Sequence, residues 1–139
     1  MELVFIDTDV CLDVLTERQP FYQAAAQLFS LVDRKKIIAG VSSLSFSNIH
    51  YILRQEHSAA ESRRILSRFK SLVEVLAVDD KIVELALQST FKDFEDALQY
   101  FTAIEYSSGI IITRNLKDYK QAAIPVMTAE SFLKTLTFT

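Results

Sequence analysis

Short apolar runs alternate with longer segments of helical periodicity along the whole chain, and this alternation constrains the fold most strongly. The apolar runs predict strands at 3–6, 37–41, 73–78, 110–113 and 125–127. Apolar residues at helical spacing predict helices at 10–16, 20–32, 42–53, 58–72, 79–88, 93–106 and 128–136. Because such alternation is typical of parallel sheets with right-handed crossovers, we predict an α/β fold. The expected architecture is a three-layer domain with a mostly parallel central sheet of about five strands.

Length and composition predict one domain over residues 1–139. The chain has 50% apolar and 24% charged residues, a globular composition with enough apolar surface for a core. It contains only two glycines and two prolines, so it has no glycine-rich phosphate loop. This composition excludes P-loop and dinucleotide-binding functions.

The overall charge is acidic. Lysine and arginine number 15 against 18 aspartate and glutamate residues, which gives a net charge of -3. A polyanionic substrate would therefore need a metal ion or a local basic patch in order to approach. The candidate patch consists of Arg63, Arg64, Arg68, Arg114 and Lys117, although for the three arginines of the helix a solvated face is the more common role.

The chain shows no targeting or membrane signal. Its start, Met1-Glu2-Leu3, lacks the basic region and long apolar stretch of a signal peptide. No segment approaches the roughly 18 uninterrupted apolar residues of a spanning helix. Cys11 is the single cysteine, which fits a reducing compartment. We therefore expect a cytoplasmic protein without membrane association.

Acidic side chains are concentrated in three segments that an α/β fold would bring to one sheet edge. They are Asp7 and Asp9 after the first strand, Asp93, Glu95 and Asp96 at a helix start, and Asp118 after the fourth strand. Ligands of open parallel sheets lie beyond the carboxyl ends of the strands. Because gathered carboxylates repel one another, a hard cation such as Mg²⁺ or Mn²⁺ is the expected ligand.

Helix capping is the alternative explanation for several of these acids. Asp9 is placed to cap the helix after the first strand, and Asp93 with Asp96 has the spacing of a variant capping box. Asp118 is placed to close an Asx turn. Asp7 lacks such a role if Asp9 is the cap, so Asp7 is the strongest ligand candidate.

Together these motifs resemble the PIN-domain family, which includes the nucleases of bacterial toxin-antitoxin pairs. The resemblance rests on 5–10, 42–54, 92–98 and 112–119, in that order and spacing. It implies a Rossmann-like sheet in the order 3-2-1-4-5, with Mg²⁺ or Mn²⁺ at its carboxyl edge. Asp7 matches the first acid of the family, and Asp96 matches the acid of its Asp-Ala-Leu motif.

The resemblance also implies the remaining site residues. The chain looks like a subgroup with Asn48 and Asn115 where the family often has acids, so Asp118 and Asp93 would supply further metal ligands. Asp7 and Asp96 would be catalytic. Supporting or substrate-binding roles would fall to Asp9, Asn48, Glu95, Thr113, Arg114 and Asn115.

The expected function is that of a metal-dependent endoribonuclease, possibly the toxin of a toxin-antitoxin pair. Its expected partners are an RNA substrate, a small antitoxin protein and a second copy of the chain. The homodimer would use surplus apolar faces that include Phe21, Leu28 and Phe46.

Two other functions stay open from the sequence. The two asparagines keep open a non-catalytic PIN-like module that binds RNA or protein. Asp7-Thr8-Asp9 after a strand also suits the aspartyl nucleophile of a haloacid-dehalogenase-type phosphatase. That enzyme would need a lysine and further Gly-Asp motifs, which we do not find.

Overall fold

A parallel sheet of five strands lies at the centre of the computed structural model, which describes residues 2–136. The strands of this described part are β1 (Leu3–Ile6), β2 (Ile38–Ser42), β3 (Glu74–Leu76), β4 (Ile110–Ile112) and β5 (Val126–Met127). Their order is β3-β2-β1-β4-β5, and every neighbouring pair is parallel. The ends of the predicted domain, residue 1 and residues 137–139, lie outside the described residues.

Seven α-helices and one 3₁₀ helix connect these strands within residues 2–136. They are α1 (Thr8–Leu15), α2 (Tyr22–Asp33), α3 (Ser43–Leu53), α4 (Ala59–Lys70), α5 (Asp80–Gln88), α6 (Phe94–Glu105), the 3₁₀ helix Leu116–Tyr119 and α7 (Ala129–Thr135). Side chains of the residue before the helix cap most of them, as Ser42 does for α3 and Asp79 for α5. None of the helices in the described part is long and apolar enough to cross a membrane.

The sheet is buried on both faces, because alternate residues of each central strand enter different cores. Val4 and Ile6 of β1 pack with α1, α2, α3, α4 and α7 on one face. Phe5 packs on the other face with residues of α6 and the 3₁₀ helix. Ile111 of β4 joins Phe5, whereas its neighbours join Val4. This pattern explains why the strands appear in the sequence as continuous apolar runs.

The sheet order creates a switch point between β1 and β4. From β1 the chain turns outward to β2 and β3, and it then returns to the other side of β1 for β4 and β5. Crevices at the carboxyl ends of strands open at such points. Asp7 directly follows β1 and Thr113 directly follows β4, so both lie at this crevice.

The predicted fold class is confirmed, and every predicted strand and helix is present with both ends within two residues of the predicted bounds. The 3₁₀ helix Leu116–Tyr119 was not predicted, because four residues are too few to show a periodicity.

Candidate active site

Asp7 is the centre of the candidate site and is almost fully buried, with 7% of its surface exposed. Its Oδ1 accepts hydrogen bonds from the Thr8 amide at 2.8 Å and from Gln99 Nε2 at 3.0 Å. Its Oδ2 accepts from Thr113 Oγ1 at 2.9 Å and from the Tyr119 hydroxyl at 3.1 Å. Four donors from four segments of the chain therefore fix this carboxylate.

The expectation that Asp7 has no capping role was wrong. Asp7 is the N-cap of α1, and Asp9 lies in the first turn of that helix. Helix α1 begins at Thr8, earlier than predicted, because polar Thr8 and Asp9 give no apolar signal of helical periodicity. Asp7 is thus both a cap and a site candidate.

Gln99 links Asp7 to a buried polar network that sequence reasoning did not find. Gln99 is 1% exposed, and its Nε2 also lies 3.0 Å from Ser45 Oγ and 3.2 Å from Thr8 Oγ1. Its Oε1 accepts a hydrogen bond from the Ser42 hydroxyl at the end of β2. One side chain of α6 therefore ties together the ends of β1 and β2. The available signal was its position three residues after Asp96, on the same face of the helix.

Asp9 faces β4 and lies close to Asp7. Its Oδ2 accepts from the Arg114 backbone amide at 3.0 Å, and Thr113 Oγ1 lies 3.4 Å away. Its Oδ1 is buried and has no hydrogen-bond partner among the described residues. Burial and the nearby negative charge of Asp7 raise the pKa of Asp9 to about 6. This oxygen is an unused acceptor beside the central carboxylate.

The Arg114 side chain pairs with Asp13 of α1, which fits a supporting role, and its alternative role in binding substrate stays a prediction. Its Nε and Nη2 donate to Asp13 at 2.8 and 3.1 Å, and the guanidinium carbon lies 3.9 Å from the centre of the Phe21 ring. Asp13 is 1% exposed. Arg114 therefore supports the site by holding the loop after β4 against α1.

Asp96, Asp93 and Asp118 form the outer part of the site. An oxygen of Asp93 caps α6 by accepting the Asp96 amide at 2.9 Å, as the capping alternative predicted. Burial raises the pKa of Asp96 to about 7, and the negative charges of Asp93 and Asp7 add to this effect. Asp118 contributes through its own charge and through a hydrogen bond with Asp96. The potential here is negative enough to hold a proton near neutral pH.

The comparisons with known proteins decide the family. A sequence profile of the PIN domain matches residues 3–117. The chain belongs to the PIN-domain family. Ribonuclease VapC1 from Aquifex aeolicus is 29% identical over 139 residues, which cover 94% of this chain and 93% of that relative.

Solved structures share the fold of this PIN domain. The DNA-bound VapBC structure from Salmonella typhimurium has a TM-score of 0.71 at 16% identity, covering 93% of this chain and 99% of that one. A toxin-antitoxin complex from Klebsiella pneumoniae has a TM-score of 0.68 at 22% identity, covering 91% and 97%. At these identities the likeness concerns the fold alone. The family gives no support to the phosphatase alternative.

Both asparagines of this PIN domain pair with acids at the site. Asn48 Nδ2 donates to Glu95 Oε1 at 2.8 Å, and Asn115 Nδ2 donates to an oxygen of Asp118. Burial and the charges of nearby aspartates raise the pKa of Glu95, and the bond from Asn48 opposes this rise. An acid at either position would face a carboxylate directly. The asparagines thus reduce repulsion where they lie.

The carboxylate oxygens of the site suit a hard cation as ligands. They do not, however, lie close enough together to bind one without rearrangement. Within residues 2–136, no ion pair involves Asp7, Asp96 or Asp118, and the free acceptors are oxygens. In the same residues, no three Asp, Glu, His or Cys side chains are close enough to hold an ion unaided. Binding would need rotation of partly exposed carboxylates or water as additional ligands, which Mg²⁺ commonly keeps.

Proposed function

We propose that this PIN domain is a metal-dependent endoribonuclease of the toxin type, which hydrolyses RNA phosphodiester bonds. The observation that carries the proposal is the concentration of acids around a buried, pre-oriented Asp7 at the switch point of the sheet. The relationship to ribonuclease VapC1 supports RNA as the substrate. Antitoxin complexes among the structural neighbours support the toxin role.

The residues of the chain divide into inner and outer acids. Asp7 is the inner ligand, fixed by its four donors, and Asp96 is the outer ligand, whose pKa is raised first by burial and then by the negative charges around it. Asp118 and Asp93 are assigned as further ligands, and Asp9 offers its unused oxygen. When bound, Mg²⁺ or Mn²⁺ would polarise a phosphate oxygen and lower the pKa of a water.

Tyr119 and Thr113 hold the inner acid in place during the reaction. Burial and the charge of Asp7 raise the pKa of the Tyr119 hydroxyl well above its usual range, so this hydroxyl keeps its proton. Thr113 Oγ1 accepts the Asn115 amide at 3.0 Å, which directs its own proton toward Asp7. No side chain is required as a covalent nucleophile in this scheme.

The test is RNA cleavage by single variants in the presence of Mn²⁺ or Mg²⁺. Asp7→Asn and Asp96→Asn should each lower the cleavage rate by at least ~10²-fold, because each removes a charge that stabilises the transition state. Asp33→Asn, an exposed aspartate at the end of α2, is the matched control and should cleave like the parent. Excess chelator should abolish cleavage in the parent.

A non-catalytic module is the second candidate. It is favoured by the absence, within residues 2–136, of a ready three-ligand group, and by the occupation of all four Asp7 acceptor positions. If the pure parent binds RNA but never cleaves it with either ion, this candidate replaces the nuclease. Full cleavage by a folded Asp7→Asn variant would remove Asp7 from the catalytic role.

The proposed partners are a small antitoxin and a second copy of the chain. The proposed location is the cytoplasm, because RNA is present there and its reducing conditions keep a free thiol such as that of Cys11 reduced. Of the apolar residues predicted for the dimer, Leu28 is fully buried in the core and is therefore excluded. Phe21 is 40% exposed and stays a candidate for the dimer face, and Leu87 of α5 and Phe94 of α6, which are 64% and 47% exposed, are proposed as further candidates. Light scattering that gives only monomer mass at tens of micromolar would count against the dimer.

A further inference from the structure

A polar cleft of about 250 Å³ adjoins the outer acids of the candidate site. It is lined by Lys92, Asp93, Lys117, Asp118, Lys120 and Gln121. Two of these residues, Asp93 and Asp118, also lie close enough to Asp96 for their negative charges to raise its pKa. The cleft is therefore continuous with the acidic site and brings three lysines to its border.

These lysines are available to an external anion. The ion pairs within the described residues join other groups, namely Arg64–Glu61, Lys81–Glu105, Arg114–Asp13 and Lys134–Glu130. Asp93 and Asp118 line the same cleft, but each accepts a hydrogen bond from a neutral donor, and neither forms an ion pair with a lysine among the described residues.

The two segments that carry the lysines are fixed to each other. Thr90 Oγ1 donates to Gln121 Oε1 at 2.8 Å, and Gln121 Nε2 donates to the Thr90 carbonyl at 3.2 Å. Phe91, next to Lys92, packs its ring against Tyr100 and Tyr119, with centroids 5.1 and 6.4 Å apart. The backbones on both sides of the cleft are therefore held before any ligand binds.

We propose that this cleft binds a backbone phosphate of single-stranded RNA next to the bond that is cleaved, an inference that rests on the proposed function for the role of the neighbouring acids. A chain of net charge -3 with clustered carboxylates repels RNA at the site itself. Three unpaired ammonium groups at its border offset that repulsion and fix the path of the strand.

This assignment replaces most of the basic patch expected from the sequence. Arg64 and Arg114 are paired with Glu61 and Asp13, and Arg63 and Arg68 lie on α4 without lining this cleft. Lys117 alone is retained from the earlier set. Lys92 and Lys120 could not be selected from the sequence, because no sequence pattern indicates that these two residues line the same cleft.

The test measures binding of a short fluorescent single-stranded RNA to the full chain in excess chelator, so that the RNA stays intact. In the parent, log affinity should fall with log salt concentration. Lys92→Gln, Lys117→Gln and Lys120→Gln combined should weaken binding at least tenfold at moderate salt. The slope should become shallower by about 0.7, since the cleft holds one phosphate and each phosphate contact in a single strand contributes about that much.

The matched control removes the same charge from the opposite edge of the sheet. Arg34→Gln, Lys36→Gln and Lys70→Gln combined change exposed residues that precede β2 and β3, at the amino ends of the strands. This control should keep the parental affinity and slope. All six side chains are exposed, so both triple variants should melt like the parent.

The possible failures are distinguishable. If the parent cleaves RNA with Mn²⁺ but the Lys92, Lys117 and Lys120 triple variant keeps its affinity and slope, the cleft assignment is wrong and the nuclease stands. If the RNA binds with the lysine-dependent slope but is never cleaved, the cleft stands and the nuclease is wrong. The proposal that the cleft binds RNA is wrong if the parent does not bind RNA. It is also wrong if the slope of log affinity against log salt concentration does not depend on the three lysines.

Discussion

Asp7 is oriented by the protein before any ligand arrives, because each of its oxygens already accepts two hydrogen bonds. A cation that binds Asp7 must share or displace one of these donors. The longest contact is that of Tyr119 at 3.1 Å, and its donor stays protonated. Gln99 is different, because its amide also satisfies Ser42 and Ser45. Among the donors, Gln99 is therefore the one whose loss affects most partners.

At this scale we predict that Gln99→Leu lowers both stability and cleavage. The change removes one of the two hydrogen bonds to Asp7 Oδ1 and the Gln99 acceptor of the Ser42 hydroxyl, and each lost bond costs about 0.5–1.5 kcal/mol, or about 1.5–3 kcal/mol where the acceptor is charged. Because Gln99 contacts Asp7 rather than substrate, kcat should fall about tenfold or more while KM stays near the parental value. Urea denaturation and initial cleavage rates measure the two effects.

Gln27→Leu is the control, since Gln27 is an exposed glutamine in the middle of α2. It should leave stability within about 0.5 kcal/mol of the parent. A folded Gln99→Leu variant with parental stability and kcat would show that the amide does not position Asp7.

At the scale of elements, the sequence was most informative where one local signal decides the structure. Continuous apolar runs, for example, sufficed to predict β1 and β4. The 3₁₀ helix has no such signal, so its placement of Tyr119 on Asp7 was not predictable. Asp118 lies in this 3₁₀ helix, and the sequence predicted it as a candidate site residue although the helix itself was not predicted.

The same limit applies to contacts between distant elements. From the sequence, Arg114 was expected to support the site or to bind substrate, the latter as part of a basic patch that could guide phosphates. Its partner Asp13 lies about a hundred residues away in the chain, inside α1. Only the packing of α1 against the loop after β4 brings them together. A pair at that separation has no signature in a single sequence.

We predict that Asp13→Ala destabilises the protein, because it leaves the guanidinium of Arg114 without its partner. Breaking a fully buried pair costs about 3–5 kcal/mol, and because the Arg114 side chain is 30% exposed and can meet water, the loss here should be smaller, about 1–3 kcal/mol. The double variant Asp13→Leu with Arg114→Met should recover much of this loss, since it removes both charges. Denaturant unfolding of both variants measures the difference.

The control for this pair is Glu130→Ala. Glu130 pairs with Lys134 one turn along α7, at 3.3 Å, and both side chains are more than 70% exposed. Exposed pairs of this kind contribute about 0.3–0.5 kcal/mol. A loss for Asp13→Ala as small as that for Glu130→Ala would show that Arg114 does not depend on Asp13.

Across the whole molecule, charge is distributed unevenly around one edge of the sheet. The acids lie at the carboxyl ends of β1 and β4, and the lysine cleft borders them on one side. The metal-free protein therefore holds repelling carboxylates with raised pKa values, and protons relieve that repulsion. The expected consequence is a stability that depends on pH and on metal in a linked way.

We predict that the metal-free protein loses thermal stability as pH rises from about 5 to 8. The ordinary pKa of an aspartate is 3.8, and the folded protein raises that of Asp96 to about 7 and that of Asp9 to about 6. The folded state therefore keeps protons that the unfolded chain releases, so their stabilising effect is complete below pH 4 and is lost as pH rises through 6 to 7. Thermal melts in chelator should show the decline, and Asp96→Asn, which carries no titrating proton, should flatten it, whereas Asp33→Asn should not.

Added Mn²⁺ should raise the melting temperature most at pH 8, because protons no longer compete for the carboxylates. Equal melting temperatures at pH 5 and pH 8 in chelator would show that the folded protein does not raise the pKa of Asp96 and Asp9.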